Sequence, residues 1–411
     1  MRKKVIIFAL ISAICLSVVC LMWHEGQKMD GGFQKRKESS MTRRDAGQGA
    51  VQETKRKAVQ QEWAVTEDIQ SAMGANLFQP GCYLLEERGS LFVAGLYLDA
   101  GVALYGGKDV SEKEKYNIYC LKDDIWEVFA SHPPESVGNE IIERHSDYDE
   151  TSISNLVYHD GFLYYDVLYD DNPGVGGEKM MFIYRIPVEG GEAEELALSY
   201  ERFNLYNGKI YYVGAADVFW EMETDGTGRR EIYRKSKNIY HRLFTVGGGC
   251  FYVENQGGIT GVNLETGDRK YYKDVGKDLD NLYYKDGFLY YDIKGSIYRM
   301  NVISGKKEEL AGANKAWLEG GYLYYIWQDS VDWKWNLSVL DPETKQSFTE
   351  VLEGPKTSHA FLQLVGEDLL VVIHVYDEYM YKVEKYIYYR YRSDTLQPER
   401  LDRQEVPAEN P

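Results

Sequence analysis

One short pattern returns along most of the chain: a tight turn that ends in glycine, followed at once by an aromatic strand. Its clearest copy is Asp286-Gly287-Phe288-Leu289-Tyr290-Tyr291. The other copies begin at Arg88, Asp160, Asn207, Gly248 and Gly320, and a weaker copy at Glu367 has aspartate in place of the glycine. Asp-Gly and Asn-Gly between aromatic runs are strong hairpin signals, because both central residues of a two-residue hairpin turn need positive φ. The sequence therefore predicts seven hairpins of one kind.

A second half-pattern follows five of the seven hairpins in step. In the clearest copy it is Ile297-Tyr298-Arg299-Met300, which leads into the turn Ile303-Ser304-Gly305-Lys306. Each unit is thus predicted to be a four-stranded meander. The turn glycines lie roughly 35 to 70 residues apart, centred near the ~40 to 50 residues of a propeller blade. We predict an all-β fold, a β-propeller of about seven four-stranded blades, with six or eight blades as alternatives.

Pairs of tyrosines in the aromatic strands support the same architecture independently. Neighbouring strand residues point to opposite faces of a sheet, so a pair such as Tyr164-Tyr165 asks for burial on both faces. A sandwich strand has one wet face, whereas neighbouring blades cover both faces of a propeller blade. The competing role is a platform on which sugars or bases stack. We prefer packing between blades.

The N-terminus is predicted to be a membrane anchor. Arg2, Lys3 and Lys4 precede the uncharged run Val5–Trp23, which is long enough to span a hydrocarbon core of ~30 Å as a helix. The run ends without the small-x-small site that a signal peptidase cleaves. Cys15 and Cys20 are not preceded by the small residue of a lipoprotein signal. An uncleaved anchor is therefore preferred. Basic residues after the run outnumber those before it, and positive-inside counting alone would therefore favour the opposite orientation. We nevertheless place the four-residue tail inside, because the layout is that of a signal peptide that lacks its cleavage site.

The remaining boundaries follow from composition. We predict a cytoplasmic tail at 1–4, a transmembrane signal anchor at 5–23, a basic flexible stalk at 24–62, a lead-in segment at 63–82, the propeller at 83–401 and a C-terminal tail at 402–411. Lysine and arginine total 47 against 65 aspartate and glutamate, a formal net charge of −18. Nucleic acid is therefore not expected as a partner.

The repeat resembles a known family. The strand at 286–291, followed by Ile297-Tyr298-Arg299-Met300-Asn301 and a glycine-containing turn, looks like the TolB-like propeller repeats of secreted and membrane-anchored bacterial proteins. The stretch Asp225-Gly226-Thr227-Gly228 is similar to the Asp-Gly-Thr-Gly turn of those blades, and the likeness covers about three quarters of the chain. It implies a propeller, mostly of six blades in that family, with binding or scaffolding roles and no catalytic residues to carry over.

No motif for nucleophilic, metal or phosphate chemistry occurs in the sequence. We expect no cofactor, no metal site and no catalytic residue. Acidic clusters at 147–150 and at Asp166, Asp170 and Asp171 contain the oxygen ligands that Ca²⁺ prefers, but solvated loop charge is the preferred interpretation. A Cys82–Cys120 disulfide is possible, although isolated cysteines in strands are usually small buried hydrophobes.

Variation in loop length indicates which end of the propeller recognises a partner. The first and third turns of each unit are uniformly tight, whereas the middle loops vary, and variable loops on a rigid scaffold commonly carry function. The candidate ligand-binding residues at that end are an aromatic group, Trp327, Asp329, Trp333 and Trp335, and an acidic group, Asp99, Asp109, Asp170 and Asp171. For Trp333 and Trp335, packing between blades from one strand face is the favoured alternative.

The function predicted from these features is a non-enzymatic, membrane-tethered propeller on the extracytoplasmic side of a bacterial cell membrane. Its expected partner is an envelope protein or a cell-wall glycan. The alternative is a carbohydrate-active hydrolase or lyase with acidic residues at the propeller mouth, because the separation of paired carboxylates is a spatial property that a sequence does not reveal. An extracytoplasmic sensor is a third reading, but four residues before the helix leave no room for an internal signalling domain.

Overall fold

The computed structural model describes residues 75–76, 84–87, 90–108, 113–137, 150–170, 179–235, 243–255, 257–273, 275, 279–313, 315–365, 368–377, 383–392 and 395–407. They all belong to the compact unit Trp63–Pro411. The predicted tail at 1–4, anchor at 5–23 and stalk at 24–62 lie outside the described residues, as does most of the lead-in segment. None of the helices within the described ranges is long and apolar enough to cross a membrane.

The described chain forms seven antiparallel sheets, and each contains four strands that are consecutive in sequence. This arrangement is a seven-bladed β-propeller, as predicted, and we number the sheets blade 1 to blade 7. The strands of blades 1 to 3 are β2 (Leu84–Glu87), β3 (Ser90–Ala94), β4 (Asn117–Lys122), β5 (Ile125–Ser131); β6 (Glu150–His159), β7 (Phe162–Asp170), β8 (Lys179–Pro187), β9 (Glu194–Ser199); and β10 (Asn204–Tyr206), β11 (Lys209–Gly214), β12 (Val218–Glu223), β13 (Arg230–Arg234).

Blades 4 to 7 repeat the same order. Their strands are β14 (Phe244–Gly247), β15 (Cys250–Asn255), β16 (Gly258–Asn263), β17 (Arg269–Tyr272); β18 (Leu279–Lys285), β19 (Phe288–Ile293), β20 (Ser296–Asn301), β21 (Lys307–Gly312); β22 (Lys315–Glu319), β23 (Tyr322–Gln328), β24 (Trp335–Leu340), β25 (Ser347–Val351); and β26 (Ser358–Val365), β27 (Asp368–Tyr376), β28 (Val383–Arg392), β29 (Glu399–Pro407). The last strand thus continues past Leu401, where the sequence analysis ended the propeller, because it pairs with β28 up to Pro407.

Few elements lie outside these strands. A two-residue strand from the lead-in segment, β1 (Ala75–Asn76), pairs with β22 and adds a fifth strand to blade 6. The α-helix α1 (Leu98–Tyr105) lies between the second and third strands of blade 1, where the sequence predicted a long loop. Short 3-10 helices are found at Gly95–Tyr97, Pro134–Ser136 and Ala215–Asp217.

The first turn of the blades has the backbone that its sequence predicts. In blade 5 the two turn residues, Asp286 and Gly287, have φ of 47° and 80°, and in blade 3 Asn207 and Gly208 have φ of 51° and 68°. Glycine, asparagine and aspartate tolerate this left-handed region best, so the turn chemistry fixes the register of each hairpin.

The paired tyrosines pack against both neighbouring blades. Tyr164 lies in one apolar cluster with Phe203 and Leu205 on the blade 3 side, whereas Tyr165 lies in another with Phe92 and Ile118 of blade 1. Blade 5 repeats this arrangement: its first tyrosine joins a cluster with blade 6, and its second joins a cluster with blade 4. The prediction that these pairs are packing residues is confirmed for blades 2 and 5.

Blade 7 closes the ring by packing on blade 1. Leu84 and Val93 share an apolar cluster with Val365 and Tyr388. The side-chain amide of Gln363 also donates a hydrogen bond to the backbone carbonyl of Leu84, at 2.9 Å. Because every blade consists of consecutive strands, closure depends on these side-chain contacts between the first and last blades.

Candidate functional site

The meander gives the propeller two different ends. In each blade the first and third turns lie at one end, called the turn end, while the middle link and the connection to the next blade lie at the other, called the loop end. The middle link is Lys294-Gly295 in blade 5, runs from 329 to 334 in blade 6 and includes α1 in blade 1. The predicted recognition residues were all placed at the loop end.

Two of the predicted aromatic residues are strand residues, which corrects their placement in a loop. Trp327 is the penultimate residue of β23, opposite Asn336, and Trp335 begins β24 opposite Gln328. Directly paired residues share a face of the sheet, so the two indoles point to opposite faces. Trp335 is only 4% exposed and packs in the apolar cluster that joins blades 6 and 7.

Both indole N–H groups are used inside the fold. The indole of Trp327, which is half-buried, donates to the Ser338 hydroxyl at 3.1 Å. That of Trp335 donates to the Ser358 hydroxyl at 2.9 Å, which links blade 6 to blade 7. Packing therefore accounts for Trp335, as the favoured alternative proposed. Trp333 does not share a strand face with Trp335, because Trp333 lies in the turn that precedes β24.

Asp329 and Trp333 belong to that turn, at 329–334. A carboxylate oxygen of Asp329 accepts hydrogen bonds from the backbone N–H groups of Val331, at 2.6 Å, and Asp332, at 3.1 Å. These bonds lower the pKa of Asp329. Trp333 has φ of 62° and is 37% exposed, and the ammonium of Lys356 lies 4.5 Å from its ring centroid. This turn is the part of the predicted aromatic group that faces solvent.

The predicted acidic group divides between two blades. Asp99, in the first turn of α1, is exposed and forms an ion pair with Lys113 at 2.6 Å. Asp170 ends β7, where it is largely buried, and lies 3.4 Å from Lys179 on the neighbouring strand. Asp109 and Asp171 lie outside the described residues. Each described member thus has its own lysine partner.

The sequence analysis interpreted the cluster of Asp166, Asp170 and Asp171 as solvated loop charge. For Asp166 this interpretation is wrong. Its side chain is 0% exposed, and neither carboxylate oxygen has a hydrogen-bond partner among the described residues. It lies on the same strand as Tyr164, two residues on, and therefore faces blade 3. Burial raises the pKa of Asp166 to about 8, although the charge of nearby Arg202 lowers it. The carboxyl is therefore mainly protonated at neutral pH.

Sequence reasoning missed that Asp166 has equivalents in other blades. Counted from the turn glycine, the fifth residue is Asp166 in blade 2, Glu254 in blade 4 and Asp292 in blade 5, and all three are buried. The Asn281 amide donates to Asp292 at 2.8 Å. Alignment of the seven strands on the last residue of the first turn would have found this position, because the other four blades hold apolar residues there.

The partner of Glu254 connects blades 3 and 4. The ammonium of Lys235, just after β13, lies 3.2 Å from a Glu254 carboxylate oxygen, and both side chains are buried. The loop end is thus fastened by polar groups distant in sequence. Within the described part of the chain, no group of three or more His, Cys, Asp or Glu side chains is arranged to hold a metal ion. Cys82 lies outside that part, and Cys120 is a free cysteine, which agrees with the preferred interpretation of the isolated cysteines as packed side chains.

Comparison with known proteins gives structural similarity only. No family model matches the chain, and no curated protein matches it significantly. Among solved structures, TolB from Acinetobacter baumannii is similar at 11% identity and a TM-score of 0.35, covering 64% of this chain and 83% of TolB. KlHsv2 with loop 6CD replaced by a Gly-Ser linker has 10% identity and a TM-score of 0.44, covering 82% of this chain and 100% of that one.

The N-terminal domain of Nup159 is similar at 10% identity and a TM-score of 0.36, with 51% of this chain covered. The chain spans 61% of the length of that domain. These similarities carry no information on ligands or partners. The assignment of seven blades rests on the seven sheets themselves.

Proposed function

We propose that this chain is a membrane-tethered β-propeller that binds or scaffolds an envelope protein or a cell-wall glycan through its loop end, outside a bacterial cell membrane. The observation that carries the proposal is the contrast between the two ends of one rigid frame. The first turns of blades 2 to 6 repeat one two-residue geometry with positive φ, whereas the middle links range from the two residues of blade 5 to the helix-containing link of blade 1. Loops that vary on a fixed scaffold are typical of recognition surfaces.

The alternative, a carbohydrate-active hydrolase or lyase, has less support. It requires a pair of carboxylates free to act on a glycosidic bond. The described acidic residues that the sequence analysis placed at the propeller mouth are Asp99 and Asp170, and each lies in an ion pair with a lysine. Asp166 has the raised pKa of an acid catalyst, but its carboxyl is completely buried.

Binding is tested with full-length protein, solubilised in mild detergent, used both to capture envelope proteins and to probe a glycan array. We expect one reproducible partner class. A matched pair of variants separates the two ends: Glu135→Arg with Lys294→Glu changes charge at the loop end, and Asp286→Lys with Lys306→Glu changes it at the turn end. Binding that weakens with the second pair and not the first would contradict recognition at the loop end.

Membrane tethering is tested separately on fractionated cells. The uncharged run at 5–23 should keep the full-length protein in the membrane pellet after carbonate extraction, because a transmembrane helix is not released by high pH. A variant that lacks residues 5–23 should become soluble. Recovery of the intact protein in the medium, cut just after this run, would rule out an uncleaved anchor.

A further inference from the structure

The turn at 329–334 has the same hydrogen bonds as three turns at the opposite end of the propeller. In each six-residue turn the first residue is Asn or Asp, its N–H donates to the carbonyl of the sixth, and the N–H of the fifth donates to the carbonyl of the first. The first side chain also accepts from the N–H groups of the third and fourth residues. The four turns are Asn263–Asp268, Asn301–Lys306, Asp341–Gln346 and Asp329–Lys334.

The fifth position of this turn always has positive φ, and its occupant distinguishes the four copies. The turn-end copies hold Gly267, Gly305 and Lys345, with φ of 75°, 70° and 62°. The loop-end copy, in blade 6, holds Trp333, also with φ of 62°. A bulky side chain in the left-handed region is disfavoured, so a tryptophan here weakens a turn that glycine would suit better. Residues kept in such a conformation are often functional.

Full burial of the side chain does not offset the unfavourable backbone conformation of Trp333. Its side chain is 37% exposed, and Val331, at the third position of the same turn, is 86% exposed. The turn is fixed before any partner arrives: besides its internal hydrogen bonds, the Gln328 amide donates to the Trp333 carbonyl at 2.9 Å. A rigid tip with two exposed apolar side chains loses little conformational entropy on binding, and tryptophan is prominent among residues that dominate interface energies.

The charges around this tip indicate the chemistry of its partner. Asp332 lies 3.4 Å from Lys334, and the Asp329 carboxylate is used inside the turn. Lys356, above the Trp333 ring, has no ion-pair partner among the described residues. Lys356 therefore provides an ammonium group beside two apolar side chains, at a tip where the charges of Asp329, Asp332, Lys334 and Lys356 balance. The aliphatic Val331 favours an apolar pocket over the hydroxyl groups of a glycan.

From this geometry we propose that Val331 and Trp333 insert into an apolar pocket of a protein partner, with a carboxylate at the pocket rim facing Lys356. This inference rests on the proposed function and names both the contact point and the class of partner. A lipid surface is the competing occupant, but the charges of Asp329 and Asp332 balance those of Lys334 and Lys356, so the tip lacks the excess of basic residues that binds anionic headgroups.

The test uses full-length protein in membranes of its own cells, with a benzophenone amino acid in place of Val331. Irradiation should give an adduct with one protein. Trp333→Gly should reduce that adduct at least about tenfold, as expected for an interface hot spot, without lowering the melting temperature, because the turn then resembles those at Gly267 and Gly305. Lys345→Gly, the same change in the matching turn-end copy, should leave the adduct unchanged.

Ile303 provides a matched control for the probe. It holds the third position of the Asn301–Lys306 turn, as Val331 does in its own, and is 46% exposed. A benzophenone there should give no comparable adduct. Equal adducts from both positions, an adduct that persists with Trp333→Gly, or an adduct with lipid alone would each overturn the proposal.

Two further probe positions at the loop end separate this inference from the proposed function. They are Glu135, in the connection from blade 1 to blade 2, and Lys294, in the middle link of blade 5, and both are exposed. Protein adducts from these positions but not from Val331 would reject the tip and retain the loop end as the recognition face. Absence of adducts from all three would reject both proposals.

Discussion

The turn end and the loop end of this propeller differ in how far short stretches of sequence set their backbone geometry. At the turn end, residues close in sequence satisfy one another: Asp286-Gly287 and Asn207-Gly208 have the positive φ that their types tolerate. At the loop end, partners come from distant segments, as when Lys235 reaches Glu254 and the Asn155 amide donates to the carbonyl of Phe203. Local chemistry therefore sets the hairpin backbone at the turn end, where the Arg299 guanidinium also donates to the Pro342 carbonyl of the next blade at 3.0 Å, whereas the loop end depends mainly on the assembled tertiary structure.

The largest expected effect comes from breaking a long-range contact at the loop end. Lys235→Met would leave Glu254 as a buried charge without its ammonium partner, and such changes cost about 3–5 kcal/mol. Chemical denaturation of the full-length protein in detergent measures the loss. The double variant Lys235→Met, Glu254→Leu should recover much of it. A single variant as stable as the wild type would show that the loop end does not depend on this pair.

A turn glycine should have the next largest effect. Gly287 has φ of 80°, and Gly287→Val forces a β-branched residue into the left-handed region. We expect a loss of more than about 1 and up to about 3 kcal/mol in the free energy of unfolding. Gly287→Asn is the control and should cost less, because asparagine tolerates this conformation. Equal losses from both variants would show that backbone conformation is not what matters here.

Asp166 should make the loop-end half of blade 2 sensitive to pH. Its pKa is raised to about 8 in the folded protein and is about 3.9 in an unfolded chain. The folded state therefore binds the proton more tightly, and the stability contributed by Asp166 is lost as pH rises from about 4 to about 8. Asp166→Asn should raise the melting temperature relative to wild type, and more so at pH 8 than at pH 5.

The control for this pH effect is Asp286→Asn, an exposed turn residue at the turn end. Asparagine also tolerates the positive φ of that position, so the difference from wild type should stay small at both pH values. A pH-independent difference for Asp166→Asn would mean that the carboxyl is ionised, and hence paired, in the folded protein.

The smallest effect is expected at the middle link of blade 5, which is a two-residue turn like those at the turn end. Lys294 and Gly295 link the second and third strands of blade 5, and both have positive φ, 51° and 78°. Lys294→Asn would introduce the Asn-Gly pair that blade 3 uses at the turn end, and should stabilise the protein by up to about 1 kcal/mol. A loss of stability would show that the lysine side chain makes contacts worth more than the improved turn.

Sequence reasoning predicted the fold better than the site, and particular residues show why. The Tyr164-Tyr165 pair indicated burial on both faces because strand geometry alternates every residue. Trp327 and Trp335 were counted within the middle loop of blade 6, although packing from a strand face was the favoured alternative for Trp335. In the structure, the turn at 329–334 is so compact that β23 and β24 extend to both residues.

The sequence by itself determined the repeat and the hairpin turns and indicated about seven blades, because these features depend on the φ preferences and alternation of neighbouring residues. Only the tertiary structure decided which polar residues are buried. Asp166 and Asp99 are both aspartates near the loop end, yet one is enclosed between blades and the other is exposed beside Lys113. Burial depends on segments that are distant in the chain. The residues that distinguish the loop end were therefore the least predictable.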